Sequence, residues 1–317
     1  MMPANDADMI HIACAADGKY LPHCAAMLAS IFAVEPPANV TVHFMHSPGM
    51  EPASRDRFFD WIKSQGAVLN PLAIPDEAVS DLPRIEVIPQ IMWYRVMLPR
   101  LLPELDRILY LDADIIAVGS LRPLWETDME GQWLAAVDNV MEPHVRQHPV
   151  ELGLPGENDY FNSGVLLFNL KQMRADDCTE RILAFARNPT MKLSWPDQDG
   201  LNIILSGRRV RLHPRWNSQN TLFFYDHGEH TFGRKIVQEV LSAPALLHFE
   251  GYHLTKPWHY MCTHPYRELY WKFRAKTPWP ERNPDGHTWA NALIRPLPFR
   301  WWPMAFRIKG RLGKMLK

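Results

Sequence analysis

The chain has 317 residues, of which 47% are hydrophobic and 22% charged, with a formal net charge of -1 at pH 7. That is enough chain for one sizeable domain with an extension, or two small ones, and it excludes collagen, low-complexity disorder and a small disulfide scaffold. The near-zero charge excludes a generally basic nucleic-acid binder.

Met9–Ala16 reads as a buried strand, and His23–Phe32 as a helix ended by Pro36 and Pro37. Val40–Met45 is a second strand, Pro52–Gln65 an amphipathic helix and Ala67–Ile74 a third strand. Gln90–Leu101 has helical spacing. Arg107–Leu111 and Ile115–Val118 are strands on either side of Asp112–Asp114, followed by strands at Trp133–Asp138 and Gly164–Asn169. Helices are expected at Lys171–Arg187 and Asp197–Ser206, with late strands at Val210–His213 and Ala245–Phe249. This alternation predicts an α/β domain with a mainly parallel sheet. The 28 prolines, about twice the usual share, imply rigid loops rather than a helical bundle.

Cys14, Cys24, Cys178 and Cys262 have no metal-ligand spacing and read as reduced, buried thiols, which suits cytoplasm. The start carries Asp6 and Asp8 without a basic stretch, so it does not read as a secretory signal. No apolar run approaches the roughly 20 residues of a membrane span. After about Trp279 the composition shifts. Arg295–Lys317 holds seven basic residues, no acid, and interleaved Trp and Phe. Such a segment can lie in a membrane interface and attract anionic lipid; the alternative is a tail docked on its own domain or a partner.

The sharpest local feature is Arg107-Ile-Leu-Tyr-Leu-Asp112-Ala113-Asp114, an apolar strand leading into two acids one small residue apart. Strand ends of open α/β sheets bind ligands. Two adjacent carboxylates repel unless a cation intervenes, and hard oxygen ligands suit Mg²⁺ or Mn²⁺ holding substrate phosphates. One chemistry on this pattern is a phosphatase of the haloacid dehalogenase class, with Asp112 as nucleophile. That class places Thr or Val where this chain has Ile116. The other is a nucleotide-sugar transferase whose metal sits on the diphosphate. A third reading is a binding protein without turnover.

Further motifs decide between them: Ala15-Ala16-Asp17 after the first strand, Tyr160-Phe-Asn162-Ser163-Gly164, Pro196-Asp197-Gln198-Asp199, His248-Phe-Glu-Gly251 and Lys256-Pro-Trp258. In this order the sequence resembles glycosyltransferase family 8, the retaining transferases that use UDP-sugars, over about Met9 to Trp279. The resemblance implies a GT-A fold, a Rossmann-like, mainly parallel sheet flanked by helices. It would make residues 1–279 the catalytic domain and 280–317 a basic aromatic extension.

The same resemblance implies that Asp112, Asp114 and His248 hold Mn²⁺, with Mg²⁺ the alternative. A neutral imidazole favours manganese over magnesium. Asp17 and Ala15 match the uracil-binding positions, with Lys19 where the family often has Asn. Arg95 matches an arginine that reaches the donor. Asp112, Ala113, Asp114, Asn162 and Gly164 line the donor, and Asp197 and Gln198 match the pair at the reacting face. Asp197 would hydrogen-bond sugar hydroxyls, and the Gln198 amide oxygen would stabilise positive charge at the anomeric carbon during front-face transfer. Gly251 and Lys256 are separated by four residues, two more than the family pattern. This leaves Lys256 or His253 for the diphosphate. The implied donor is UDP-galactose or UDP-glucose. The implied acceptor is a glycan or glycolipid such as a lipopolysaccharide core, with no nucleic-acid partner. The acceptor side is expected to involve the aromatic C-terminal part and Asp138-Asn139. The implied location is cytoplasmic, peripheral on the inner membrane face through residues 295–317.

Overall fold

The structure is a computed structural model that describes residues 9–84, 90–189, 192–251, 253–297, 301, 302 and 304. Among the described residues ten strands are formed: β1 Ile10–Ala15, β2 Val40–His46, β3 Val68–Ala73, β4 Arg107–Leu111, β5 Ile115–Ala117, β6 Leu134–Asp138, β7 Phe161–Asn169, β8 Arg209–Arg211, β9 Ser218–Gln219 and β10 Leu246–His248. Seven make one sheet in the order β3-β2-β1-β4-β7-β6-β8, and β5-β10-β9 make a second. In the large sheet β7 alone runs antiparallel to its neighbours, β4 and β6.

Both faces of the large sheet are covered, so its central strands alternate between two cores rather than between core and solvent. Leu109 and Leu111 of β4 join Ile12, Cys14, Phe44 and helix α1 (Leu21–Val34) on one face. Ile108 and Tyr110 join Trp93, Phe168 and Ile182 on the other. Helix α2 (Pro52–Ser64) is capped by Glu51, whose carboxylate accepts from Ala53 and Ser54 N–H, as an N-terminus favours.

Two expected helices differ. Gln90–Met97 is a 3-10 helix followed by a single α turn, Leu98–Leu101. Pro99 has no N–H to return to the Arg95 carbonyl, which an unbroken α-helix would require. Lys171–Arg187 is broken into Leu170–Ala175 and Cys178–Arg187 by Asp177, whose φ of 50° is left-handed. The Asp176 carboxylate there takes hydrogen bonds from Trp133, Gln172 and Arg208. Short helices at Thr221–Phe224, Arg234–Ser242 and Arg267–Arg274 carry no pattern read in the sequence.

Most of Arg295–Lys317, on which the membrane and docked readings rest, lies outside the described residues. The described residues at its start and just before it are packed: Met261, Ile294 and Trp302 form a small core with Tyr260 and Leu297, and Asp285 exchanges backbone hydrogen bonds with Trp258 and Tyr260. Among the described residues no helix is long and apolar enough to cross a membrane.

Three histidines packed into these cores give the fold an acid limit. Burial lowers His23 to about 3, against Trp258 and with Arg274 nearby; His43 to about 4, beside His11; and His264 to about 3, among Phe223, Phe224 and Phe249. The folded state keeps them neutral while the unfolded chain takes up protons below pH 6.5. Their contribution is therefore present above that pH and lost as pH falls toward 4 and then 3. Each gives a slope of up to about 1.4 kcal/mol per pH unit. Urea midpoints measured from pH 7 to 5 should fall accordingly, and His264→Phe should flatten the fall.

Candidate active site

The antiparallel course of β7 builds the centre. Its first residues meet the last residues of β4: Leu111 pairs with Val165, and Asp112 N–H donates to the Gly164 carbonyl at 2.9 Å. Asp112 and Asp114 then form the step between the two sheets, because β5 begins at Ile115. In the small sheet Ile115 pairs with His248, and Phe249 N–H donates to the Asp114 carbonyl. A strand end, a strand start and a second sheet thus converge on one point.

His248 Nε2 lies 3.3 Å from Asp114 Oδ1 and 3.9 Å from Asp112 Oδ2. Its other nitrogen, Nδ1, faces Asn217 Oδ1 at 2.9 Å, so a proton belongs on Nδ1 and Nε2 is the nitrogen turned toward the two carboxylates. Asn217 donates to Asn162 Oδ1, which also accepts from Gly164 N–H. Asn162 in turn donates to Asn139. One ligand atom from each of Asp112, Asp114 and His248 lies within 4.8 Å of the others. Two carboxylate oxygens and one oriented imidazole nitrogen fit a divalent cation. Gly164 is the cradle: a Cβ there would stand 2.2 Å from His248 Cε1 and 2.9 Å from Asp112 Oδ2.

Lys256 forms an ion pair with Asp114. Burial works against the Asp114 carboxylate, but Lys256 and His248 outweigh it and hold its pKa well below the ordinary carboxylate range. The longer loop therefore still delivers Lys256 to the centre. Gly251 begins that loop with φ of +81°, a conformation suited to glycine, and Thr255 closes it onto the Glu250 carbonyl.

Arg95 is buried beneath the carboxylates, 3.2 Å from Asp112 and 3.4 Å from Asp197, and donates to the Ser163 carbonyl. Asp197 opens the helix Pro196–Leu205. Burial raises its pKa to about 6 despite Arg95, with Asp112 adding to the rise. Gln198 is held: its Oε1 accepts from Ser163 N–H and Oγ–H at 2.8 and 3.0 Å. That oxygen, expected to face an anomeric carbon, already takes two donors from the protein.

Ala15 is the last residue of β1, and Asp17, two residues on, lines a cleft of about 550 Å³ across the ends of β1, β2 and β3 with Ser47, Asp76 and Tyr94. Asp17 Oδ1 accepts Tyr20 N–H, so one carboxylate oxygen closes the turn into α1, and Lys19 is exposed in that turn. Ala113 is buried between the two aspartates. Asp138 is not at the centre: Arg209 and Arg211 of β8 neutralise it at 2.6 and 3.0 Å. Sequence reasoning missed Asn217, Tyr110 and Tyr160. Tyr110 donates to Asp112 at 2.8 Å.

A family model described as Glycosyl transferase family 8 matches residues 11–262. The chain is similar to General stress protein A of Bacillus subtilis, 27% identical over 86% of this chain and 95% of that protein. It is similar to the lipopolysaccharide 1,3-galactosyltransferase of Salmonella typhimurium, at 25% over 87% of this chain and 80% of that one. It is also similar to the lipopolysaccharide 1,2-glucosyltransferase of Escherichia coli, at 27% over 88% and 82%. Galactosyltransferase LgtC, solved in complex with donor and acceptor sugar analogues, shares the fold with a TM-score of 0.74 at 23% identity, covering 92% of this chain and 99% of that chain. The expected GT-A architecture is borne out by that likeness.

Proposed function

The chain belongs to glycosyltransferase family 8, and from that premise we propose that it moves galactose or glucose from a UDP-sugar to a glycan or glycolipid acceptor with retention of configuration. The observation that carries this reading is the Asp112, Asp114 and His248 cluster, closed by Gly164 and Lys256, at the carboxyl end of β4. The phosphatase and non-catalytic readings gain no support from the family match.

Asp112, Asp114 and His248 would hold the metal, Mn²⁺ or else Mg²⁺. When bound, such a cation neutralises charge on a diphosphate. Lys256, on a four-carbon stem beside Asp114, would follow the diphosphate and stabilise the charge that develops as UDP departs. Asp17, in the cleft beyond β1, and Ala15, at the end of that strand, would take the uracil. Arg95 ties Asp112, Ser163 and Asp197 into one rigid floor, so the sugar face is preorganised before donor arrives. Asp197 would read sugar hydroxyls, and Gln198 would lie beside the anomeric carbon. With its carbonyl polarised by Ser163, Gln198 acts as a fixed dipole and not as a nucleophile. The names of the two lipopolysaccharide transferases support an acceptor of that class.

The test is release of UDP from a panel of UDP-sugars, with Mn²⁺ or with EDTA. Slow, metal-dependent release from one sugar is expected. If no sugar is turned over, and UDP with Mn²⁺ leaves the melting temperature unmoved, the donor reading is wrong. Peripheral membrane contact through 295–317, from the cytoplasmic side, is the second element of this reading. Sedimentation with anionic vesicles should disappear when Arg295–Lys317 is deleted; persistence would reject that contact.

A further inference from the structure

Behind the reacting face lies a polar chain that the transfer reading does not use. His148 Nε2 is 2.8 Å from Asp199 Oδ1, and Tyr160 donates its hydroxyl to the same oxygen at 2.5 Å. The backbone N–H groups of Ser194 and Trp195 donate to Oδ2 at 2.7 and 3.0 Å. Asp199 and Tyr160 are fully buried, and each Asp199 oxygen serves two partners, which leaves no acceptor site for a sugar hydroxyl. Gln198 Nε2 donates to the Tyr160 oxygen at 3.2 Å, and Gln198 is the one partly exposed member of the chain.

A glutamine amide has two faces that differ only by exchange of O and N, so something must choose between them. Here both ends choose. The Tyr160 proton is committed to an anionic, acceptor-only carboxylate, so the Tyr160 oxygen can only accept, and it selects the NH₂ of Gln198. The Ser163 N–H can only donate, and it selects the carbonyl. Burial, with Asp199 alongside, pushes the Tyr160 hydroxyl far above its ordinary range and keeps its proton in place.

We infer that His148, Asp199 and Tyr160 are positioning residues that fix the orientation of the Gln198 amide at the sugar face. This rests on the donor reading above. Asp199 acts through Tyr160 and does not touch the sugar. His148 enters from a separate one-turn helix, His148–Glu151, and supplies the second side-chain donor that keeps Asp199 oriented.

A double-mutant cycle tests the inference, using UDP release by the full chain. Tyr160→Phe removes both links and should lower kcat roughly tenfold to a hundredfold, with the KM for UDP-sugar within about twofold. Gln198→Ala should lower kcat at least as much, and the double variant should be no worse than Gln198→Ala alone. Additive losses, or an unchanged kcat in Tyr160→Phe, overturn the inference while leaving the donor reading standing. Absence of release by the unmodified chain overturns the donor reading and this inference with it. If Tyr160→Phe does not fold, His148 decides. His148→Gln keeps an N–H donor and should retain activity that His148→Leu loses; equal activity of the two overturns the inference.

Discussion

Gly164→Ala should abolish sugar transfer while the protein still folds. The added methyl carbon would lie 2.2 Å from His248 Cε1, 2.9 Å from His248 Nε2 and 2.9 Å from Asp112 Oδ2. Carbon contacts settle at 3.5–4.0 Å, so a shift of more than an ångström is required. The backbone offers no relief, since β7 continues beyond Gly164 as a paired central strand. The imidazole offers little, because its Nδ1 is tied to Asn217, Asn217 to Asn162, and Asn162 to the N–H of Gly164 itself. The methyl must therefore push His248 and Asp112 apart, and two of the three atoms that would hold a metal leave their places. Loss of outer-shell support alone costs about 10–100-fold in metal affinity. Displacing ligands should cost more, with activity falling by roughly three orders of magnitude. Calorimetric titration of Mn²⁺ in the presence of UDP, beside far-ultraviolet circular dichroism, separates the two effects. Normal metal affinity in Gly164→Ala would show that the cradle is not a metal site.

Asp114→Asn keeps the shape and removes the charge. Oδ1 faces His248 and Oδ2 faces Lys256, so the amide fits with its NH₂ on the His248 Nε2 and its oxygen on Lys256, a placement that leaves the Lys256 cation without its counter-charge. Both side chains of the Asp114–Lys256 pair are largely buried, and removing one partner strands the other. Such losses cost about 3–5 kcal/mol, and the residual exposure here places the expectation at the lower end. Activity should drop roughly a thousandfold. Mn²⁺ with UDP, at a hundred times Kd, should stabilise the parent chain by about 2.7 kcal/mol and leave the variant unmoved. A ligand-induced melting shift equal to the parent's would remove Asp114 from the ligand set.

The sheet was legible because its central strands are buried on both faces and so read as continuous apolar runs, as Arg107–Leu111 and Gly164–Asn169 do. The direction of β7 was not legible. Strand order and sense depend on what packs at distance, and the residues of an antiparallel strand look like those of a parallel one. The acidic pair announced itself by sitting after an apolar strand, and His248 and Gly164 needed the family resemblance. Asn217 gave no signal at all: it lies in a short 3-10 turn, Pro214–Asn217, and matters only because β9 runs beside β10. Tyr160 stood inside a motif that was read, but its partner Asp199 looked like an ordinary first-turn acid. The tail illustrates a different limit. Its interface reading rests on Arg295–Lys317, most of which lies outside the described residues, while residues 285–297 pack on the loop that follows Lys256.

The step Asp112-Ala113-Asp114 joins the end of a strand in the large sheet to the start of a strand in the small one. His248 answers from the small sheet, and Gly164 from the large. A ligand gathered by these residues would do more than prepare a substrate: it would add a bridge between the two sheets, beside the chain segments that join them and the hydrogen bonds of Gln219 to Asp138 and Val140. Opening of the small sheet would then be coupled to letting go of the ligand. The lifetime of such a bound state would be coupled, through these three side chains, to the pairing of the two sheets.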